Sequence, residues 1–272
     1  MTEYKLVVSD LDGTLLDENM KTGEKNDAAI KALADRGILF VPSSGRTFYE
    51  IPQNLLDNPD VRYVIYSNGT IVYDLKEKSV IISNEISKQS AEKILEICRK
   101  YEVFICPHCK GYAYSQNLFG KATMEYYGIN EYYKEIFRTM KSYDDIAEFK
   151  NAGGFESLVL FFHDDEELAK CESELSEIKE LLVTSSVAHN LEIVSAFAGK
   201  GAALREFSKL LGIKKEEIIA IGDSTNDISM FEAAGLSLCA KGGNEAAKSH
   251  ADMVICSNKD GVVDYVLKNI VK

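Results

Sequence analysis

The chain has 272 residues, a formal net charge of −12 at pH 7 and a hydrophobic fraction of 46%. This length exceeds the size at which one hydrophobic core usually stops growing, so we expect two domains. The acidic balance argues against a nucleic-acid-binding or anionic-membrane surface, and no apolar run approaches the length of a membrane span.

The first part of the chain alternates predicted strands with predicted helices. Strands are predicted at Leu6–Ser9, Ile38–Pro42 and Arg62–Tyr66, and helices at Lys25–Arg36 and Tyr49–Leu56. Gly37 would end the first helix, and Ser67-Asn68-Gly69 would form a turn after the third strand. This alternation is typical of a right-handed parallel sheet.

The pattern changes near residue 84, where predicted hairpins mix with helices. The predicted elements are helices at Gln89–Tyr101 and Asp164–Leu182 and strands at Val103–Ile105, Tyr112–Tyr114, Phe155–Phe162, Leu181–Val187 and Leu191–Val194. Lys110-Gly111 would turn the first hairpin, and Asp164 or Asp165 would cap the second helix. Residues 117–150 show no clear pattern. The mixture indicates an α+β module.

The alternation of helices and strands returns from Lys200 onward. Helices are predicted at Ala202–Leu211, Ser224–Ala234, Asn244–Ser249 and Gly261–Asn269, and strands at Glu217–Ile221, Leu236–Cys239 and Met253–Cys256. We therefore expect residues 1–83 and 195–272 to form one α/β core, interrupted by an inserted α+β domain at residues 84–194.

Two acidic residues stand at the end of the first predicted strand. Asp10 and Asp12 are separated by one apolar residue and followed by Gly13 and Thr14, which are typical of a tight turn. Ligands of open α/β folds bind at the carboxyl ends of the strands, where these acids would lie. An isolated pair of this kind is equally compatible with a solvated turn, but three distant segments supply complementary polar groups. They are Ser44-Gly45-Arg46, Lys200-Gly201 and Gly222-Asp223-Ser224-Thr225-Asn226-Asp227.

These four segments, in this order, resemble the motifs of the haloacid-dehalogenase-like phosphatases, and the last one resembles the Cof-like branch. The resemblance covers nearly the whole chain. It implies an α/β fold with a Rossmann-like parallel-sheet core and an inserted α+β cap. It also implies a Mg²⁺-dependent phosphatase of small phosphorylated metabolites, with sugar phosphates as the expected substrates. No obligate protein partner is indicated. No signal-peptide-like segment precedes the first strand, so we expect a cytoplasmic protein.

The resemblance assigns the chemistry and the metal to the acidic residues. Asp10 would be the nucleophile that forms an aspartyl phosphate, and Asp12 would protonate the leaving oxygen and then activate water. Mg²⁺ would be held by Asp10, by the backbone carbonyl of Asp12 and by Asp223, with Asp227 holding a metal-bound water. A carboxylate that approaches a phosphate dianion meets repulsion of about 8 kcal/mol at about 4 Å and an effective dielectric near 20. A hard cation with oxygen ligands would offset this repulsion.

The resemblance assigns phosphate binding to the polar residues of the other motifs. The expected phosphate-binding residues are Ser44, Gly45, Lys200 and Asn226. Ser44 stands where the family more often has Thr, and the hydroxyl is retained. Asn226 has a second possible role in orienting neighbouring groups. For Arg46 two roles are open, a contact to substrate or an anchor for the Asp-rich loop.

Two alternative functions are compatible with parts of the sequence. A phosphomutase would use the same motifs but return the phosphoryl group to a substrate hydroxyl. A non-catalytic or thiol-redox binding module would instead use Cys106-Pro107-His108-Cys109. Redox chemistry needs the first Cys at a helix N-terminus, whereas a strand is predicted to follow here. Zinc binding would need two more ligands, for which His163 and His189 are candidates.

Aromatic residues are concentrated in one part of the inserted domain. The chain has 14 Tyr and 12 Phe residues, and 12 of these 26 fall within residues 101–149. They could form a stacking surface for a sugar or base. We favour the simpler interpretation that they fill the core of a small domain.

Overall fold

The computed structural model describes residues 3–117, 120–129, 140–151, 153–185 and 188–271. The chain divides into two compact units. The first comprises Met1–Arg46, Ile51–Ser83 and Gly199–Lys272, and the second comprises Thr47–Glu50 and Asn84–Ala198. Phe119, Tyr132, Tyr133 and Phe137 of the aromatic-rich stretch lie outside the described residues, as do the last two residues of the predicted strand Leu181–Val187.

The described elements are fourteen strands and nine α-helices. The strands are β1 Leu6–Ser9, β2 Leu39–Pro42, β3 Tyr63–Tyr66, β4 Ile71–Asp74, β5 Ser79–Ser83, β6 Val103–Cys109, β7 Tyr112–Gln116, β8 Lys141–Tyr143, β9 Ser157–Phe162, β10 Leu181–Thr184, β11 Asn190–Ser195, β12 Ile218–Gly222, β13 Leu236–Cys239 and β14 Met253–Val254. The helices are α1 Glu24–Asp35, α2 Gln53–Leu56, α3 Lys88–Cys98, α4 Lys121–Tyr126, α5 Asp165–Ser176, α6 Lys200–Leu211, α7 Ile228–Ala233, α8 Glu245–His250 and α9 Val262–Asn269.

The first unit is built on a five-stranded parallel sheet in the order β14-β13-β12-β1-β2. Strand β1, which lies between β12 and β2, is buried along its whole length, as expected for a sheet covered on both faces. Ser9 at the end of β1 pairs with Pro42 on one side and with Ile221 on the other. The carboxyl ends of β1, β2 and β12 therefore lie at one edge of the sheet. This confirms the predicted α/β core with a parallel sheet.

The segment after β2 differs from the predicted alternation. The predicted helix Tyr49–Leu56 is a 3₁₀ turn at Phe48–Glu50 followed by the short α2, because Pro52 lacks an N–H and restricts the residue before it. β3 does not join the five-stranded sheet as a full neighbour. It contacts the end of β2 through a single parallel bridge between Ser43 and Ile65, and it forms an antiparallel sheet with β4 and β5.

The second unit contains a six-stranded sheet in the order β10-β11-β9-β6-β7-β8, in which only the β7–β8 pairing is parallel. Residues of α3 and α5 share a buried apolar cluster with residues of β9 and β11. The hairpin between β6 and β7 turns at Lys110 and Gly111, whose φ angles are +52° and +79°. This unit is the α+β module predicted from the sequence.

Helix α5 begins where predicted and ends earlier. The Asp164 carboxylate accepts hydrogen bonds from the backbone N–H groups of Glu166 and Glu167, which caps the helix. The apolar stripe continues to Leu182 in sequence, but Leu181 and Leu182 belong to β10, so the helix stops at Ser176. The longest helices in the described part of the chain have 12 residues, and none there is long and apolar enough to cross a membrane.

Most described aromatic residues of the second unit contribute to its packing. The buried Tyr143 hydroxyl donates to the Ile105 carbonyl oxygen at 2.7 Å, and Phe104 packs in a small apolar cluster. Tyr49 belongs to the same unit although it lies far from Tyr112 in sequence. Its ring stacks on the Tyr112 ring with the centroids 3.8 Å apart, and its backbone N–H donates to the Gly111 carbonyl oxygen at 3.0 Å.

Candidate active site

Asp10 lies at the carboxyl end of β1 and is 4% exposed. Its backbone N–H donates to the carbonyl oxygen of Ile221 at the end of β12, at 2.9 Å. The chain then folds into a tight turn in which Gly13 has a φ of +78°. A Cβ atom at this glycine would lie 2.4 Å from Oδ2 of Asp223. Only glycine therefore satisfies both the backbone conformation of the turn and the close approach of Asp223.

Lys200 connects two of the carboxylates inside the first unit. It is the first residue of α6 and is 1% exposed, and its Nζ lies 2.6 Å from Oδ1 of Asp10 and 2.6 Å from Oδ1 of Asp227. The other oxygen of Asp227 accepts hydrogen bonds from the backbone N–H groups of Asp223 and Ser224, at 2.9 and 3.0 Å. The first, third and fourth motifs therefore meet in one buried hydrogen-bonded network.

Three acidic side chains form a group that fits a hard metal ion. One carboxylate oxygen each from Asp10, Asp223 and Asp227 lie within 4.8 Å of one another. Thr14 donates its hydroxyl to Oδ1 of Asp223 at 3.1 Å, which orients that carboxylate. Three carboxylates against the single ammonium of Lys200 leave an excess of two negative charges. An all-oxygen donor set with this charge suits Mg²⁺.

Burial perturbs the ionisation of these groups. Burial raises the pKa of Asp10 well above its usual range, against the effect of Lys200. Burial, followed by the charge of Asp227, raises the pKa of Asp223 to about 6. Burial alone would lower the pKa of Lys200, but Asp10 and Asp227 outweigh it and the pKa is raised. The ammonium is therefore charged at neutral pH, and a divalent cation would favour ionisation of the two carboxyl groups.

Asp12 lies outside this cluster and is held by Arg46. The guanidinium donates from Nε and Nη2 to the two carboxylate oxygens of Asp12, at 2.8 and 2.7 Å. The Asp12 side chain is 40% exposed, and this bidentate pairing fixes its plane. Of the two roles that the sequence left open for Arg46, the structure shows the contact to the Asp-rich loop.

Ser44 and Gly45 follow β2 at the same edge of the sheet. Ser44 is buried, and its Oγ accepts a hydrogen bond from the Arg46 backbone N–H at 3.1 Å. The hydroxyl proton of Ser44 donates to no acceptor among the residues that the structure describes. The geometry thus leaves this hydroxyl able to donate to a ligand.

The turn at Ser67–Gly69 belongs to none of the four motifs but contacts several of the site segments. Ser67 and Asn68 have φ angles of +49° and +53°. Such left-handed conformations cost about 1–2 kcal/mol in most non-glycine residues, although Asn adopts them more readily. Oδ1 of Asn68 accepts a hydrogen bond from Nδ2 of Asn226 at 3.1 Å. The next residue, Gly69, leaves no space for a Cβ atom, which would lie 2.3 Å from the carbonyl oxygen of Gly199. The sequence indicated the turn, but no signal in it identified these partners.

Cys106 and Cys109 both lie in β6, where an odd separation places their side chains on opposite faces. They accordingly belong to different apolar clusters, and both are free thiols. Burial raises the pKa of both thiols, to about 11 for Cys109. Among the described residues the only group spaced to hold a metal is the acidic one, so zinc binding at this segment is not supported. Redox chemistry is not supported either, because the two thiols lie on opposite faces of a strand and their pKa values are raised.

Known proteins resemble this chain over nearly its whole length. The family model of haloacid dehalogenase-like hydrolases matches residues 7–267. The Bacillus subtilis protein named 5-amino-6-(5-phospho-D-ribitylamino)uracil phosphatase YwtE is 30% identical over 98% of each chain, and Phosphatase YwpJ of that organism is 28% identical over 98% of this chain and 99% of its own. The crystal structure of TM0651 from Thermotoga maritima has a TM-score of 0.84 and 30% identity over 99% of this chain and 98% of that one. The chain therefore belongs to the haloacid dehalogenase-like hydrolases, in their Cof-like branch, and is a phosphoric monoester hydrolase.

Proposed function

We propose that this enzyme is a Mg²⁺-dependent phosphatase that hydrolyses small phosphorylated metabolites, chiefly sugar phosphates, through an aspartyl phosphate on Asp10. The observation that carries the proposal is the convergence of the half-buried Asp223 with the buried Asp10 and Asp227, which share the ammonium of Lys200. A buried excess of negative charge is costly unless a cation or protons offset it. A phosphoryl-transfer site that uses a carboxylate nucleophile and a divalent metal accounts for this arrangement.

Asp10 would act as the nucleophile. Lys200 holds its Oδ1, while Oδ2 receives no hydrogen bond from the described residues. Oδ2 is therefore the oxygen that would attack phosphorus and form the acyl phosphate. The same ammonium would offset the charge that develops on the phosphoryl oxygens, to which the Ser44 hydroxyl and the Gly45 amide would also donate.

Asp12 would move protons in both half-reactions. In the first, it would donate a proton to the leaving oxygen of the substrate alcohol. In the second, its carboxylate would accept a proton from the water that attacks the acyl phosphate, which releases inorganic phosphate and regenerates Asp10. Arg46 would hold the Asp12 carboxylate in one orientation while it accepts the proton, and one of its two contacts would have to loosen when Asp12 carries the proton for the leaving oxygen.

The acidic cluster would hold the metal. The ligands would be Asp10, the backbone carbonyl of Asp12 and Asp223, and Asp227 would hold a metal-bound water. Both oxygens of Asp227 are already engaged, by Lys200 and by backbone N–H groups, which supports an indirect role. When bound, Mg²⁺ would supply the positive charge that lets a carboxylate approach a phosphate dianion.

A phosphate-release screen is the first test of this proposal. The screen should include sugar phosphates and, because of the name of the YwtE relative, 5-amino-6-(5-phospho-D-ribitylamino)uracil. With the best substrate, turnover in ¹⁸O-labelled water should give inorganic phosphate that carries one solvent oxygen. Acid quenching during the first turnover of a ³²P-labelled substrate should leave label on the wild-type protein and none on Asp10→Asn.

The same labelling separates the hydrolase from the phosphomutase. If solvent oxygen stays out of phosphate while an isomeric phosphoester accumulates, the acyl phosphate is resolved by a substrate hydroxyl and the hydrolase proposal is wrong. Release of phosphate without label on the wild-type protein at any quench time would instead contradict the role of Asp10 as nucleophile.

A further inference from the structure

The side chain of Asn68 is oriented by a chain of hydrogen bonds inside the first unit. Ser224 Oγ donates to Oδ1 of Asn226 at 2.6 Å, and Nδ2 of Asn226 donates to Oδ1 of Asn68 at 3.1 Å. Because Oδ1 of Asn68 is the acceptor in this chain, Nδ2 must lie on the other side of the carboxamide. In the described part of the chain this Nδ2 donates to no protein atom.

The free Nδ2 of Asn68 lies beside the backbone of Gly45. A Cβ atom built on Gly45 would lie 3.0 Å from Oδ1 and 3.2 Å from Nδ2 of Asn68. A side chain at residue 45 would therefore push the carboxamide away, and glycine leaves the space that it occupies. The backbone N–H of Asn68 also donates to the Ser44 carbonyl oxygen at 3.0 Å. The carboxamide is thus fixed next to two residues that we propose as phosphate donors.

The backbone of this turn is held in an unfavourable conformation by its neighbours. Ser67 and Asn68 are consecutive non-glycine residues with positive φ. Ser67 donates its N–H to the Arg46 carbonyl oxygen at 2.8 Å, so the turn is tied to the motif that contains Ser44 and Gly45. Strained conformations of this kind persist where the surrounding structure enforces them, commonly at functional sites.

We propose that Asn68 binds the phosphoryl group of the substrate. Its Nδ2–H donates to a non-bridging phosphoryl oxygen beside the Ser44 hydroxyl and the Gly45 amide. Asn226 and Ser224 act as positioning residues that orient the carboxamide with its donor toward the ligand. The ligand is a phosphate monoester dianion or its product, inorganic phosphate, and this inference rests on the proposed phosphatase function.

Asn68→Gly is the most informative variant. It removes the carboxamide at a position where glycine adopts positive φ without strain, so the turn should keep its conformation. The measurement is the inhibition constant of inorganic phosphate against hydrolysis of p-nitrophenyl phosphate, together with the thermal midpoint. Loss of one hydrogen bond to a charged group should raise this constant by about 10- to 100-fold. The midpoint should stay the same or rise.

Two further variants make the comparison specific. Lys78→Gly is the matched control, because Lys78 also has a positive φ of +52° and lies exposed between β4 and β5. Its inhibition constant should equal that of the wild type. Asn68→Asp keeps the shape but replaces the donor with a negatively charged acceptor, and it should bind phosphate more weakly than Asn68→Gly.

Each result bears on a different part of the inference. An inhibition constant in Asn68→Gly equal to that of the wild type overturns the assignment, whatever happens to the thermal midpoint. Adding Asn226→Ala to Asn68→Gly should cause little further loss, since Asn226 acts through Asn68. Additive losses would mean that Asn226 contacts phosphate itself and overturn its positioning role. Failure of the phosphatase proposal would show in the wild type, as absence of both hydrolysis and phosphate inhibition.

Discussion

Replacement of Lys200 by Met should strongly destabilise the metal-free enzyme. The variant keeps a side chain of similar length but leaves Asp10 and Asp227, which are 4% and 0% exposed, without the ammonium that lies 2.6 Å from each. Removing one partner of a buried ion pair costs about 3–5 kcal/mol, because the remaining charge stays buried and uncompensated. For a domain of roughly 150–250 residues this corresponds to a lower melting temperature by about 6–20 °C.

Thermal unfolding in excess chelator measures this effect. Circular dichroism is the suitable signal, because the chain contains no tryptophan for fluorescence. Lys268→Met is the matched control, because Lys268 makes an ion pair with Asp264 at 2.7 Å but is 66% exposed. Exposed pairs contribute about 0–1 kcal/mol, so the control should melt within a few degrees of the wild type. Equal melting temperatures for the two variants would refute the reasoning.

The destabilisation of Lys200→Met should also depend on pH. The pKa of Asp10 in the folded protein is raised by burial, and Lys200 opposes this rise, so removing Lys200 raises it further. Protonation of a group whose folded pKa exceeds the unfolded value stabilises the fold, and this contribution is lost as pH rises through the folded pKa. The deficit should therefore be smaller at pH 5 than at pH 8. A deficit that grows on acidification would contradict the assignment of buried charge at Asp10.

Four further predictions follow from the site. Asp10→Asn should abolish turnover, since an amide cannot attack phosphorus, without lowering the melting temperature, because Lys200 keeps its ion pair with Asp227; phosphate release at the wild-type rate would contradict its role. Excess chelator should abolish activity, Mg²⁺ should restore it and Ca²⁺ should inhibit, because Ca²⁺ has longer and less regular ligand distances; full activity in chelator would exclude the metal. Burial and the charge of Asp227 raise the pKa of Asp223 to about 6, so the Mg²⁺ concentration for half-maximal activity should rise as pH falls from 7 to 5, by up to about tenfold per unit below that pKa; a metal requirement independent of pH would argue against Asp223 as a ligand. Combined Cys106→Ser and Cys109→Ser should keep activity within a few-fold of the wild type, and release of bound zinc on this change would show that a metal role for the thiols was missed.

The sequence predicted the part of the site that lies at strand ends. Buried strands such as Leu6–Ser9 are short apolar runs, and polar residues directly after them must lie at the edge of the sheet. Asn68 could not be predicted in this way. Its sequence context indicates only a turn, while its role depends on Gly45 and Asn226, which are distant in sequence and are brought near by the fold.

The fold was not predicted correctly in every segment. Strands β4 and β5 were not predicted: β5 is exposed except at Ile82 and has no clear alternation of buried and exposed residues, whereas β4 is a short and mostly buried apolar run. The end of α5 was placed too late, because an apolar stripe does not distinguish a continuing helix from the strand that follows. In both places the local sequence pattern alone does not identify the element, which depends on the partners that the fold provides.

The grouping of Thr47–Glu50 with the second unit has a consequence for protein engineering. The chain passes between the two units four times, so the second unit is not a single insertion that can be cut out as one piece. A transplant of residues 84–198 into a related enzyme would leave behind Tyr49, which stacks on Tyr112 and donates to Gly111. An exchange of this unit between relatives therefore has to include the segment Thr47–Glu50, or supply a replacement that packs against the same hairpin.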